Sequence, residues 1–168
     1  EIYLDTSGSM PDPERNLNAL TLAAQILAAA AIRKGSLVRG VIYSSGPESP
    51  LVSEWMGSEQ TAREWLLHYS GGGTDFPWKF LAKSVKETRG APPLRIVISD
   101  QDFLYNLRDK DAPSTMEAAV RSSPVFVALL HLYPGYGNPE VLEPFRGRPS
   151  FRLVAVHYMA DFAKTASE

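Results

Sequence analysis

Apolar positions along this chain fall into two alternating patterns. Short continuous runs recur at Ile2–Leu4, Leu37–Tyr43, Leu94–Ser99, Pro124–Leu130 and Phe151–His157. Runs of this length, bounded by turn-forming residues, read as buried strands. Between them the apolar residues take helical spacing. Leu17, Leu20, Ala24, Leu27 and Ala31 define the strongest helix, with Asp12 as its expected cap, Pro13 at its first position, and Arg33, Lys34 and Gly35 at its end. Ser58–Tyr69, Phe76–Arg89, 114–122 and Asn138–Phe145 read as further helices, and a short one follows the last strand. Ser44–Pro50 reads as a turn and Leu51–Trp55 as a short returning strand.

The resulting order, β-α-β-β-α-α-β-α-β-α-β-α, predicts a mainly parallel sheet with helices on both faces. Leu94–Ser99 and Pro124–Leu130 are apolar throughout, as expected of strands covered on both sides. The Pro/Gly-rich stretch Pro134–Pro139 is short enough to be a loop rather than a linker. A chain of 168 residues suits one domain, 1–168, able to bury roughly two thirds of its unfolded surface. It opens on Glu1, without a methionine and directly against an apolar strand, so the domain is expected to have been cut from a longer protein.

Composition narrows the chemistry. With 17 basic and 19 acidic residues, the net charge of −2 gives no basic field for nucleic acid. The absence of cysteine excludes disulfides, thiol catalysis and zinc–thiolate sites, and fits a reducing, cytoplasmic compartment. No apolar run approaches the roughly 18–20 residues needed to span a bilayer, and no signal peptide is visible.

Three segments carry the candidate chemistry. Asp5-Thr6-Ser7-Gly8-Ser9 places a carboxylate at the end of the first strand, followed by two hydroxyls at spacings of two. Gly71-Gly72-Gly73-Thr74-Asp75 is a glycine-rich loop before a helix, and Asp100 ends the Leu94–Ser99 strand. In open α/β sheets, sites form beyond the carboxyl ends of strands, where the strand order switches. The three segments are therefore expected to converge. Ser7, Ser9 and Thr74 offer neutral hydroxyl oxygens, while Asp5 and Asp100 supply charge directly or through water. Hard oxygen donors suit Mg2+, Mn2+ or Ca2+. Few anionic ligands would leave the ion electrophilic, open to an acidic group from a partner.

These segments, in this order, resemble the metal-ion-dependent adhesion site of von Willebrand factor A domains. The resemblance extends along nearly the whole chain. It implies a three-layer α/β/α, Rossmann-like open sheet, mostly parallel, with one short antiparallel edge strand, here Leu51–Trp55. It also implies binding rather than catalysis: a divalent cation held by Asp5, Ser7, Ser9, Thr74 and Asp100 takes a carboxylate from a partner protein. The Asp-Thr-Ser-Gly-Ser-Met opening resembles the bacterial and intracellular branch, whose members often partner AAA-type ATPases. One departure is Gln101-Asp102, where the family often has glycine. Asp102 is thus a candidate for a supporting or charge-adding role.

Other readings weigh differently. Asp5 could serve only as a turn cap, and Asp100-Gln101-Asp102 only as a helix cap and solvated turn. The glycine triplet lacks the Gly-Lys-Ser/Thr of a phosphate loop, and Asp75 disfavours phosphate. Neither Ser7 nor Ser9 sits in a Gly-x-Ser-x-Gly elbow. A hydrolase using the same ion to activate water remains the alternative, with Asp102 as its base; a regulatory subunit of an ATPase or metal-insertion complex differs only in partner. His68, His131 and His157 are too dispersed for a ligand motif and read as surface or satisfied core histidines. Trp55, Trp65 and Trp78 are expected in the core, although Asp75, Phe76 and Trp78, close behind Thr74, are also candidates for the rim of the site or a supporting role. Tyr133-Pro134-Gly135-Tyr136 is a second candidate contact loop.

Overall fold

A computed structural model describes residues 1–16, 18–87, 90–133 and 139–168. Leu17, Arg89 and residues 134–138 of the two loop readings lie outside them. Six strands, β1 (Ile2–Asp5), β2 (Gly40–Tyr43), β3 (Leu51–Val52), β4 (Arg95–Asp100), β5 (Phe126–His131) and β6 (Phe151–Val156), form one sheet in the order β3-β2-β1-β4-β5-β6. All neighbours are parallel except β2 and β3, so β3 is the antiparallel edge strand that the sequence predicts. β1 lies between β2 and β4, and the strand order reverses there. Asp5 and Asp100, the last residues of β1 and β4, stand at this switch point.

Helices cover both faces. α1 (Ala19–Arg33), α2 (Glu59–Trp65) and α6 (Phe162–Ser167) pack on one side, around Leu4, Leu20, Ala24, Ile42, Ile98, Leu129 and Phe162. α3 (Trp78–Glu87), α4 (Asp102–Asn106) and α5 (Ala112–Ser122) cover the other, around Tyr3, Tyr43, Phe76, Leu81, Val97, Phe103 and Met116. Successive strand residues point to opposite faces, which is why Ile98 and Val97 belong to different cores. No helix among the described residues is long and apolar enough to cross a membrane.

Several boundaries differ from the sequence reading for identifiable reasons. α1 begins at Ala19, not after Asp12. Asn18 is the cap: its Oδ1 accepts from the Leu20 and Thr21 amides, while its Nδ2 donates to the Pro11 carbonyl. Asp12 instead closes a separate turn, accepting from the Glu14 amide. The end of α1 is as expected, with the Gly35 amide donating to the Ile32 carbonyl. Ser58 does cap α2. α3 starts at Trp78, directly after Pro77, and the Phe76 amide just before it donates to Asn106 Oδ1. The sequence did not signal α4, which is only five residues long. Pro139–Leu142 is a 3-10 turn rather than the helix read over Asn138–Phe145, and Asn138 is outside the described residues. Trp55 is 42% exposed rather than in the core, with the Arg39 guanidinium stacked over its ring.

Candidate functional site

The β1–α1 turn is shaped by Asp5 itself. Its side chain is fully buried, and Oδ1 accepts from the Ser7 amide at 2.9 Å. Oδ2 accepts from Ser99 Oγ on β4 at 2.6 Å, which ties the ends of the two central strands together. This turn puts Ser7 Oγ and Ser9 Oγ 3.0 Å apart. Ser9 Oγ then donates to Asp100 Oδ2 at 3.1 Å, and Asp100 Oδ1 accepts from the Asp102 amide at 2.8 Å. Asp5, Ser7, Ser9 and Asp100 therefore form one connected network, buried at Asp5 and open at Ser9.

The glycine-rich loop docks onto the same turn through its backbone. The Gly71 amide donates to the Thr6 carbonyl, and the Gly8 amide donates to the Gly72 carbonyl. Gly73 and Ser45 exchange two more bonds, one through Ser45 Oγ. Gly72 has φ +83°, and a Cβ there would lie 3.1 Å from Ser45 Oγ, so both conformation and space call for glycine. Thr74 follows, half-buried. Asn106 of α4 holds its carbonyl at 3.2 Å while also bonding Asp102 O and the Phe76 amide. Thr74 thus reaches the site region through backbone anchoring, whereas the other four candidates are joined by their side chains. Asn106 is the residue that sequence reasoning missed; an asparagine at the end of an unrecognised helix gave no signal.

Electrostatics set this network apart. Among the described residues, neither Asp5 nor Asp100 has a salt-bridge partner, although Asp100 is only 7% exposed. Burial pushes the Asp5 carboxyl up to about 6, against the hydrogen bonds from Ser99 and Ser7, and the charge of Asp100 adds to the rise. Burial, then Asp100, also raises Asp102. Two buried carboxylates without a counter-ion are costly unless a cation joins them. Next to Asp5, Tyr43 Oη is buried, and burial followed by the charge of Asp5 pushes its pKa well above the ordinary range, against a hydrogen bond with Ser99. The donor set is all oxygen and carries only two negative charges, which fits a hard divalent cation that retains water.

The rim candidates separate. Phe76 is 2% exposed and packs against Tyr3, Tyr43, Trp78 and Phe103, so it is core and not a contact residue. Its position behind Thr74 suggested the rim, but the loop turns it inward. Trp78 is half-buried against Phe76 and Phe103. It lines a concavity of about 350 Å³ with Ser44, Pro50, Phe80 and the exposed Asp75. Tyr133 is exposed.

Comparison with solved structures supports the architecture. The chain superposes on a von Willebrand factor type A protein from Catenulispora acidiphila with a TM-score of 0.62 and 19% identity, over 99% of this chain and 40% of that one. It also superposes on the conserved hypothetical protein BatB from Bacteroides thetaiotaomicron with a TM-score of 0.58 and 13% identity, over 98% and 93%. The chain spans about two fifths of the length of the first of these proteins. No family model matches the sequence, and no curated protein does. The fold is von Willebrand factor A-like.

Proposed function

We propose that this domain is a protein-interaction module whose contact runs through a divalent cation, Mg2+ or a similar hard ion, bound at the β1–β4 switch point. The observation that carries the reading is the pair of buried carboxylates, Asp5 and Asp100, without a counter-ion among the described residues and linked through Ser7, bonded to Asp5, and Ser9, bonded to Asp100. Ser7, Ser9 and Thr74 would hold the ion with hydroxyl oxygens, and Asp5 and Asp100 would balance its charge. When bound, the ion supplies an electrophilic position for an exterior carboxylate. The protein's part is to hold the hydroxyls on a rigid turn and to keep the carboxylates in place. Ser9, the exposed member, marks the side from which a partner's aspartate or glutamate would approach.

On this reading the domain binds and does not catalyse. The resemblance to bacterial and intracellular adhesion-site domains makes an AAA-type ATPase the first partner class to seek, and the cysteine-free composition suits a reducing compartment. The test is recovery of partner from the native host on immobilised domain, in Mg2+ and again in chelator. Mg2+-dependent recovery that disappears in Asp100→Ala is expected. Recovery unchanged by chelator would overturn metal-dependent capture.

A further inference from the structure

The three histidines have different surroundings. His68 is exposed, with Nδ1 2.6 Å from the Trp65 carbonyl, and His157 is exposed, with Nδ1 2.9 Å from the Leu132 carbonyl. His131 is 2% exposed, and its Nδ1 is buried without a hydrogen-bond partner among the described residues. A buried polar atom left unpaired costs free energy and calls for an explanation in water, an ion or function.

His131 ends β5, and its Cα partner in the parallel register is Asp100, the end of β4. The two side chains leave the same face. Ile98 and Leu129, two residues before each, pair in the same register and share one core, and His131 packs near Phe162 of that core. Adjacent strands lie about 4.8 Å apart. The imidazole is fixed by a T-shaped contact with Tyr133 at 4.4 Å and by Phe162 at 6.2 Å. Asp100 spends one bond on each oxygen, to Ser9 Oγ and the Asp102 amide. A carboxylate has about four lone-pair sites, so it can accept more. Gln101 Oε1, next in sequence, is also buried without a partner among the described residues. A water between these groups would have the two or more polar partners that a buried water requires.

We infer that His131 is a positioning residue for the cation site, its Nδ1–H holding the Asp100 carboxylate through one ordered water in the orientation that the ion needs. This rests on the cation reading above. Supporting hydrogen bonds of this kind typically change metal affinity by about 10- to 100-fold.

The test is calorimetric titration of Mn2+ into wild type, His131→Phe and His131→Gln, with melting of each in chelator. His131→Phe keeps a planar ring against Tyr133 and Phe162 but removes the donor; His131→Gln restores an N–H. The expected result is about tenfold weaker Mn2+ binding in His131→Phe, partial recovery in His131→Gln, and metal-free melting of His131→Phe no lower than wild type. Equal Mn2+ affinity in wild type and His131→Phe would overturn the role of His131 and leave the cation site standing. No Mn2+ binding by wild type would overturn the site, and this inference with it. Ring 15N shifts of the wild type decide the case without a variant. On Mg2+ saturation His131 should move while His68 and His157 stay; an unmoved His131 contradicts the proposal.

Discussion

Ser9 Oγ donates to Asp100 Oδ2 at 3.1 Å across 91 residues of sequence. That bond joins the β1–α1 turn to the end of β4, and it is made by a hydroxyl exposed to solvent on one side and a carboxylate buried on the other. It follows from the strand order: β1 and β4 are distant in sequence and adjacent in the sheet. The candidate site inherits its geometry from the centre of the sheet.

The metal-free protein should show an Asp5-dependent pH profile. Its folded pKa of about 6 lies above the ordinary 3.8, so the neutral form favours folding. That stability is complete below about pH 4 and lost as pH rises through 6, by on the order of 3 kcal/mol. Melting curves in chelator should therefore show Asp5→Asn gaining on wild type as pH rises from 4 to 7. A difference independent of pH would contradict the burial of an uncompensated carboxylate.

Gly72→Ala and Gly90→Ala impose the same kind of backbone strain, at φ +83° and +94°, with nothing within 4 Å of the added methyl at Gly90. Each is expected to cost about 1 kcal/mol of stability in denaturant unfolding. Only Gly72→Ala should also weaken cation binding, because it pushes the loop off Ser45 and shifts Thr74. Equal cation affinity in both variants would show that the loop plays no part in the site.

Asn106→Ala removes the hook between α4 and the Thr74 loop. Two lost backbone anchors, with a buried Phe76 amide left unpaired, should cost about 1–3 kcal/mol. Asn106→Asp retains the acceptor for Phe76 but not the donor to Thr74. It should recover much of the stability while leaving cation affinity reduced, a split readable by unfolding and calorimetry on the same sample.

Arg95 provides a control at the other end of the sheet. It is fully buried, paired with Glu1 and bonded to Ser84 and Ser123; Arg39 also pairs with Glu1. Arg95→Ala removes one of the two cations paired with Glu1, leaves Arg39 with the carboxylate, and empties a fully buried site, so it should cost about 2–5 kcal/mol. Where the variant still folds at low temperature, its cation affinity should equal wild type.

Much of the architecture was legible because it depends on local pattern. The apolar runs mark the central strands, and Gly35 and Ser58 mark helix ends. The candidate segments were legible for the same reason: each sits directly after a strand or before a helix. What was hidden depends on contacts between distant segments. Asn18 outcompetes Asp12 as the α1 cap because its amide also reaches the Pro11 carbonyl. Phe76 is drawn into the core by aromatic neighbours from β1, β2 and α4. Five-residue α4 shows no periodicity, so Asn106 carried no message. His131 read as an ordinary histidine until the register placed it beside Asp100.

The central claim is a divalent cation held between Asp5, Ser7, Ser9, Thr74 and Asp100. It is tested most directly by calorimetric titration of Mg2+ into wild type and Asp5→Ala at pH 7.5. The account predicts one ion per domain in wild type and none in Asp5→Ala, with Asp5→Ala still folded. No binding by wild type, or the same binding in both, would contradict it.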